Sequence, residues 1–532
     1  MENNSHKEVT SLKDFFQIIK DNRVTFFIFA LLVIIAYGNL VRGDFINMDD
    51  EKGILYNPDV KNVGKMLGSL MLYNIQISLT HAIFGFNAGA YHAVSIFIHF
   101  INVVLTFLVV YAVFDKKTAL ISSLLFSVHP LASEAVGWIS AAHYLHIAFF
   151  TLLGMLFHYL YKTTEIKKYY IIELLIFMVA VTVLRNAWVL TIPFSMLVFD
   201  QFIICKKINL RSALLILPYF LMAGVHAYIN IFGDFSNRVT ALTLDYYYNP
   251  YTATPLLNRT PYIIFTVLKL LLMPIPLTVY HEGVYISTVS YVAMIAITIA
   301  LFIFCIKIYK KSAYIVGLFA LIFISTLPSF SPVAIAWFIA ERYLYLSTLA
   351  FSILLAITVR YLEKYTGIKK LALFTITILV SLYTLRTALR TQDLLNTSNL
   401  WHATQKVSPY SFRVYNNLGD VYAKIGDYDT AIEMFQTSLK LDPSYADAVH
   451  NLGYVYLQKG DTQNAKKYLL QSYEMNPRLY GATYKLGVAA FMEKDYETAR
   501  AYWLKTLELS PGDASAVNAL RELDRILSET EQ

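Results

Sequence analysis

Residues 415–443 read YNNLGDVYAKIGDYDTAIEMFQTSLKLDP, and the spacing of small and large side chains in this stretch decides how the C-terminal part folds. Pro443 has counterparts at Pro409, Pro477 and Pro511, Gly419 at Gly453 and Gly487, and Ala431 at Ala465 and Ala499. Three series with one common phase mark three copies of one unit. Each unit is expected to be a pair of helices. Gly and Ala sit where the two helices cross, Tyr, Leu, Phe and Trp503 fill the gaps around them, and Pro opens the next unit.

The pattern Tyr415-x2-Leu418-Gly419-x2-Tyr422, then Ala431-x3-Phe435, then Pro443, is that of the tetratricopeptide repeat. Residues 409–532 are therefore expected to form a repeat domain of three full units, with Asp513–Leu527 as the solvating cap. Residues 391–408 join it as a connecting half repeat, centred on Asn399–Val407. Such arrays have a concave face that commonly holds extended peptides, so polypeptide partners are expected.

Upstream the solvent changes. Of the 532 residues 57% are hydrophobic and only 15% charged, with 40 Tyr and 35 Phe, which is too apolar for a soluble enzyme of this length. The excess lies between Val24 and Leu389, where about a dozen segments approach the roughly 20 apolar residues a bilayer requires. Residues 1–23 are expected to be a cytoplasmic segment and 24–390 a transmembrane domain. The net charge of +7 is spread in short groups between apolar runs, which speaks for topology and against nucleic acid. The two cysteines, Cys205 and Cys305, each adjoin a basic cluster, which excludes a disulfide framework. About twenty polar residues precede the first apolar run, so that run is expected to remain as a span and not be cleaved.

Orientation follows Lys and Arg. All basic groups, from Lys7–Arg23 to Arg360–Lys370, fall in the cytoplasm if Pro261–Tyr280, broken by Pro274 and Pro276, does not cross. Eleven spans result, with the N-terminus inside. The repeat domain and the loops Arg42–Tyr91, Gly233–Pro261 and Ser329–Arg342 then share the outer face.

Candidate chemistry clusters in those outer loops. Asp49 and Asp50 form a carboxylate pair just after the first span, suited to general-base work or metal coordination because crowding raises the proton affinity of one member. A solvated acidic loop is the plain alternative. His129-Pro130-Leu131-Ala132-Ser133-Glu134 ends a span on the same face, with His143 and His146 beyond it. Glu341-Arg342 opens another span, where an ionised pair needs partners. Arg342 suits bidentate contact with phosphate, with Glu341 holding or neutralising it, and a structural salt bridge is the bland reading. Arg185, Arg238 and Arg259 add cations for an anionic headgroup. The membrane part has no Gly-rich phosphate loop, Ser-His-Asp order or Cys-x2-Cys pair.

Together these pieces resemble the transmembrane and tetratricopeptide-repeat O-mannosyltransferases, a branch of the polyprenyl-phosphate-dependent GT-C glycosyltransferases. The likeness rests on Asp49-Asp50 with Asn57, Asp59 and Val60; on His129-Pro130 with Glu134-Ala135-Val136; on Asn249-Pro250, Arg259 and Leu268–Pro274; and on Glu341–Tyr345. The chain departs from the family at Ala141-Ala142-His143-Tyr144, where a Gly-Arg-x-Asp group is usual, and at Arg185-Asn186, where Lys-Glu is frequent.

The resemblance implies an all-α fold, a polytopic GT-C-type domain followed by a soluble repeat solenoid, in a prokaryotic plasma membrane or, in a eukaryote, the ER membrane with lumenal repeats. It implies transfer of a sugar, mannose, from a polyprenyl-phosphate donor to Ser or Thr hydroxyls of extracytoplasmic proteins. Asp49 or Asp50 would be the base, with Asp49 preferred. Arg342 and Arg259 would face the lipid phosphate, and His129, Glu134, His143 and Glu341 would line the pocket. No cofactor is implied beyond the donor, although the carboxylate pair leaves a divalent metal open. Two other readings stand beside it: an inactive membrane-anchored scaffold whose repeats recruit extracytoplasmic proteins, and a lipid-linked sugar transporter, for which no broken-helix inverted repeat speaks.

Overall fold

The computed structural model describes residues 9–232, 256–281, 286–330, 337, 339–477 and 479–530, and these are helical with no strand among them. Asn249, Pro250 and Arg238 lie outside the described residues. The chain divides into two compact units, one holding the apolar helices up to Leu400 and the other holding Trp401–Gln532.

In the first unit eight helices are long and apolar enough to cross a bilayer: Arg23–Arg42, Ala88–Val113, Ile139–Thr164, Ala187–Ile204, Leu210–Asn230, Thr288–Tyr309, Glu341–Thr366 and Lys369–Asp393. A ninth forms if Lys116–Ser127 and Pro130–Gly137, bent by 53° at their junction, count as one. The eleven expected crossings would also need the 17-residue helix Lys167–Val183 and the 12-residue helix Ala313–Ile324. The stretch expected not to cross holds the 17-residue helix Leu256–Leu272, which is not among the eight.

Helix Thr288–Tyr309 buries only Met294 and leaves Val289 80% and Phe302 71% exposed. Apolar surface on that scale is stable only against another apolar medium, so its exposure fits a lipid-facing helix.

The last long helix fixes the C-terminal end of the first. Thr391 donates its hydroxyl to Asn39 Oδ1 (2.8 Å), and the amide of Asp44 donates to the Leu395 carbonyl (2.7 Å). Thr387 donates to the Val128 carbonyl at the bend (2.7 Å), so one helix holds both the start of the loop after the first long helix and the bent helix pair.

In the second unit the period of the sequence becomes a period of contacts. A Cβ on Gly419 would lie 2.5 Å from Phe435, on Gly453 2.8 Å from Leu469, and on Gly487 2.4 Å from Trp503. The small residue therefore exists to admit the large one from the second helix. Helix Ala514–Thr530 closes the array, burying Ala516 and Leu523 against Trp503 and Ala499.

Second helices start the same way in each unit. Asp427, Asp461 and Asp495 accept the amides of Thr430 (3.2 Å), Asn464 (3.0 Å) and Thr498 (3.1 Å), each satisfying an N-terminal amide with no partner inside the helix. The residue before each cap is left-handed, with φ +82° at Gly426 and +78° at Gly460, but +65° at Lys494. An L side chain pays about 1–2 kcal/mol in that region. Replacing Lys494→Gly is therefore expected to raise the unfolding free energy of the repeats by about 1 kcal/mol, measured by denaturant unfolding of the full chain. An unchanged or lowered stability would contradict the strain.

Candidate active site

The sharp bend begins with chemistry at Pro130, which lacks an amide hydrogen and cannot continue the preceding ladder. His129 caps the short turn that follows, its Nδ1 accepting the Leu131 amide at 3.3 Å. The chain then re-forms one helical turn, Ser133–Gly137, that carries Glu134 into the interior.

Glu134 meets Arg342 there. Its Oε2 accepts the Arg342 backbone amide at 2.9 Å and its Oε1 accepts the guanidinium. The first serves a donor at the start of the 3₁₀ turn Glu341–Leu344 that has no intrahelical partner, and the second neutralises a buried cation. The guanidinium also lies over three rings, Trp138 (4.9 Å), Tyr343 (5.0 Å) and Trp337 (5.1 Å). Stacked and paired in this way, Arg342 has a fixed orientation.

Sequence adjacency suggested that Glu341 holds Arg342, and the structure corrects this. A 3₁₀ turn has about three residues per turn, so consecutive side chains diverge by about 120°. Glu341 turns instead to Arg390 (3.3 Å) and accepts the amide of Thr278, while Arg390 also reaches Asp393 (3.2 Å). Glu341, Arg342, Glu134 and Arg390 are all buried, and each has an opposite charge beside it.

The loop after the first long helix is pinned by apolar packing. Ile54, Val60 and Met66 join Ile77, Tyr91 and Ile139 in one buried cluster. Asn57 and Pro58 start the 3₁₀ turn that points Val60 inward, whereas Asp59 faces outward to Lys65 (2.7 Å). Because Ile139 belongs to that cluster, the next residue, Ser140, is set against the loop's acids.

The two carboxylates are not equivalent. Asp50 is fully buried and accepts three hydrogen bonds, from the Ser140 amide (2.9 Å), the Ser140 hydroxyl (2.5 Å) and the Ile46 amide (3.3 Å). Burial still pushes its carboxyl up to about 6, with those bonds opposing and the neighbouring Asp49 reinforcing. Asp49 is exposed and, among the described residues, its carboxylate has no hydrogen-bond partner. Enough protein crowds its stem that desolvation raises its carboxyl too, against the pull of Arg342 first and Lys52 second.

His143 joins this group through Ser140, its Nδ1 lying 3.1 Å from the Ser140 carbonyl. Its ring tilts onto Tyr144 (4.1 Å), which packs on Tyr343 (5.7 Å) and Trp188 (5.5 Å). Asp49, Asp50, His143, Glu134 and Arg342 are thus brought together by direct or one-residue contacts. His129 is buried between Tyr383 (4.8 Å) and Phe351 (6.0 Å). Arg259 is buried on helix Leu256–Leu272. Among the described residues no three His, Cys, Asp or Glu side chains converge on a metal position.

Three participants escaped the sequence reading. Ser140 had no signal of its own, being one of many serines, and only its distance from Asp50 reveals it. Trp138 was hidden in an apolar run. Arg390 did carry a signal, as a cation at the end of an apolar helix that requires an acid nearby.

The raised carboxyl of Asp50 has a consequence for stability. A group that binds its proton more tightly when folded contributes stability that is full below about pH 4 and is lost as pH rises through about 6. Thermal unfolding of the detergent-solubilised chain is therefore expected to show a midpoint that declines between pH 4 and 6.5. In Asp50→Asn that part of the decline should vanish. Identical profiles for the two proteins would refute the buried, proton-hungry carboxylate.

Comparison with known proteins finds repeats in the C-terminal part of the chain. Family models described as TPR repeat and Tetratricopeptide repeat match residues 419–460 and 450–514. The first TPR of Spaghetti (RPAP3) is 25% identical, covering 22% of this chain and 94% of that domain with a TM-score of 0.22. MamA is 24% identical over 24% of this chain and 69% of that one, also with a TM-score of 0.22. Protein O-mannosyl-transferase F38B6.6 of Caenorhabditis elegans is 25% identical over 446 residues, which are 78% of this chain and 62% of that protein. The chain therefore spans less than two thirds of that relative's length. Along most of its length the chain is thus similar to a protein O-mannosyl-transferase, and its C-terminal part carries tetratricopeptide repeats.

Proposed function

We propose that the chain is a glycosyltransferase that moves a sugar, mannose by kinship, from a polyprenyl-phosphate donor to a Ser or Thr hydroxyl of an extracytoplasmic polypeptide. The observation that carries this reading is the inequality of the two acids. Asp50 is bound on three sides to its own protein, whereas Asp49 keeps its carboxylate for a ligand while sharing its surroundings with Arg342.

In the proposed reaction the acceptor oxygen attacks the anomeric carbon, the bond from that carbon to the phosphate oxygen breaks, and its electron pair stays on the lipid phosphate. Asp49 takes the hydroxyl proton as the nucleophile forms. Its raised proton affinity brings it nearer to the alcohol it serves. Arg342 holds its charge at the phosphate, with guanidinium N–H groups beyond the one given to Glu134. Asp50 and Ser140 position the loop that presents Asp49, and His143 supports Ser140.

An apolar cavity of about 770 Å³ supports a prenyl donor. It lies among helices Thr288–Tyr309, Ala313–Ile324 and Leu256–Leu272, with Phe302, Phe319, Phe323 and Leu327 in its walls. Beyond Ile324 the carbonyl of Ser325 accepts the Trp188 indole (3.1 Å), and Trp188 packs on Tyr343 at 4.4 Å. A hydrocarbon tail in the cavity would thus have its phosphate end one aromatic layer from Arg342.

The charge bias supports an outer location for this loop and for the repeats, which would engage the acceptor polypeptide. The test is transfer of mannose from polyprenyl-phosphate mannose to a Ser/Thr-rich polypeptide by purified protein. Asp49→Asn is expected to lose at least about 100-fold in rate with its fold intact. Asp50→Asn is expected to lose less, because the amide oxygen can still accept from Ser140. Unchanged transfer in both variants would sink the proposal.

A further inference from the structure

At the end of the helical unit away from the candidate site, charge is handled in two ways. Helix Glu341–Thr366 carries Arg342 at its start and Arg360 about 27 Å further along. At that far end Arg360 pairs with Asp115 and Lys117 with Glu363 (3.7 Å), and Phe114 meets Tyr314 (5.9 Å), the second residue of helix Ala313–Ile324. The neighbouring corner is built differently. Residues 205–214 and 301–315 hold the cations Lys206, Lys207, Arg211, Lys307, Lys310 and Lys311 and no acid. All of these cations are exposed, and among the described residues none lies within ion-pair distance of a carboxylate. Asp200, near the end of the helix that precedes Lys206, is buried and already paired with Lys162 (3.3 Å) and His158 (3.0 Å).

Packing brings the two cationic segments together. Phe202 meets Tyr309 ring to ring at 5.8 Å, and a Cβ on Gly317 would lie 2.7 Å from Phe202, so helix Ala313–Ile324 lies directly on the end of helix Ala187–Ile204. The loop that follows is shaped by its own hydrogen bonds. The Lys207 amide donates to the Gln201 carbonyl (3.0 Å), the Asn209 amide to Gln201 Oε1 (2.5 Å), and Asn209 Oδ1 accepts the Ser212 amide (3.2 Å). Lys206 takes a left-handed backbone, φ +55°, to make that turn.

The loop ends at a cavity. Ile208 and Lys310 stand at one end of the apolar space of about 770 Å³, and Leu327 and Phe330 at the other. Ile208 belongs to the wall and is still 73% exposed, so the cavity is open at this corner. From there it follows helix Thr288–Tyr309 back to Thr298, a distance of about 18 Å. An apolar passage of that length with cations at its rim suits a fatty chain that ends in an anion. Lys369 and Lys370, after the end of helix Glu341–Thr366, are equally exposed but do not line this cavity.

We propose that this corner binds one anionic phospholipid of the surrounding membrane, with its phosphate held by Lys206, Lys207 and Lys310 and one acyl chain running past Ile208 into the cavity. Each ammonium offers three donors and a full charge to the phosphate oxygens, and no acid of the protein competes for them. Clustered lysines at the end of a membrane helix attract anionic headgroups, and the cavity adds a place for the chain that an ordinary basic rim lacks. The inference does not depend on sugar transfer, because it concerns the end of the cavity opposite to the one from which the prenyl donor is proposed to reach Arg342.

Native mass spectrometry of the full chain in a neutral detergent, titrated with single lipids of equal acyl chains, tests it. One copy of dioleoyl phosphatidylglycerol is expected to be held at least about tenfold more tightly than dioleoyl phosphatidylcholine. The combined variant Lys206→Gln, Lys207→Gln and Lys310→Gln should lose that preference. Lys369→Gln with Lys370→Gln should keep it, which separates this corner from the general charge of the same end. Ala320→Trp, which fills the cavity, should weaken retention of the lipid, and free glycerol 3-phosphate should not displace it. Equal retention of the two lipids, a preference that survives the triple variant, or one lost in the Lys369 and Lys370 variant would overturn the proposal. Displacement by glycerol 3-phosphate, or full retention in Ala320→Trp, would overturn it as well, since the cavity would then hold no chain.

Discussion

The ion pair between Glu134 and Arg342 is the constraint around which the candidate site of the helical unit is built. A guanidinium taken out of water costs several kcal/mol unless a matched acid and its hydrogen bonds come with it. Glu134 supplies both, capping the turn that carries Arg342 and neutralising its charge. To reach that place Glu134 must sit on a helix that has turned by 53° at His129-Pro130, so the bend and the ion pair require each other. Losing one partner would strand the other, at about 3–5 kcal/mol.

From that pair the remaining geometry follows outward. The turn of chain that returns from Glu134 brings Trp138 under the guanidinium and Ser140 to Asp50, and the apolar cluster around Ile139 holds the first loop in register. Asp50 is spent on structure, which leaves Asp49 at the edge with a cation in its surroundings. Two adjacent identical residues thus acquire different chemistry from their neighbours alone. A second ion pair, Glu341 with Arg390, secures the other side of the same turn and ties it to the last long helix.

The repeats were almost fully legible, because the features that define them are local and periodic: Gly419 against Phe435, Gly453 against Leu469 and Gly487 against Trp503 are read directly from spacing. The apolar helices were legible in composition, and their ends less so, since the helix Ala313–Ile324 is too short to be recognised by length alone. The candidate site was legible as four motifs without their pairing. Neighbours in sequence suggested that Glu341 serves Arg342, while the true partner, Glu134, lies 208 residues away and could be found only by folding. Ser140 illustrates the limit most plainly, because a serine has no sequence mark until a buried carboxylate stands 2.5 Å from it.

The central claim is that Asp49 takes the acceptor proton in a site shared with Arg342. The pH dependence of single-turnover mannose transfer from polyprenyl-phosphate mannose tests it most directly. The account predicts a rate that falls with a one-proton slope on the acid side, at a pH above the usual aspartate range, and a limb that moves in Asp49→Glu but stays in place in Asp50→Glu. A rate independent of pH on that side, or a limb that persists unchanged in Asp49→Asn, would contradict it.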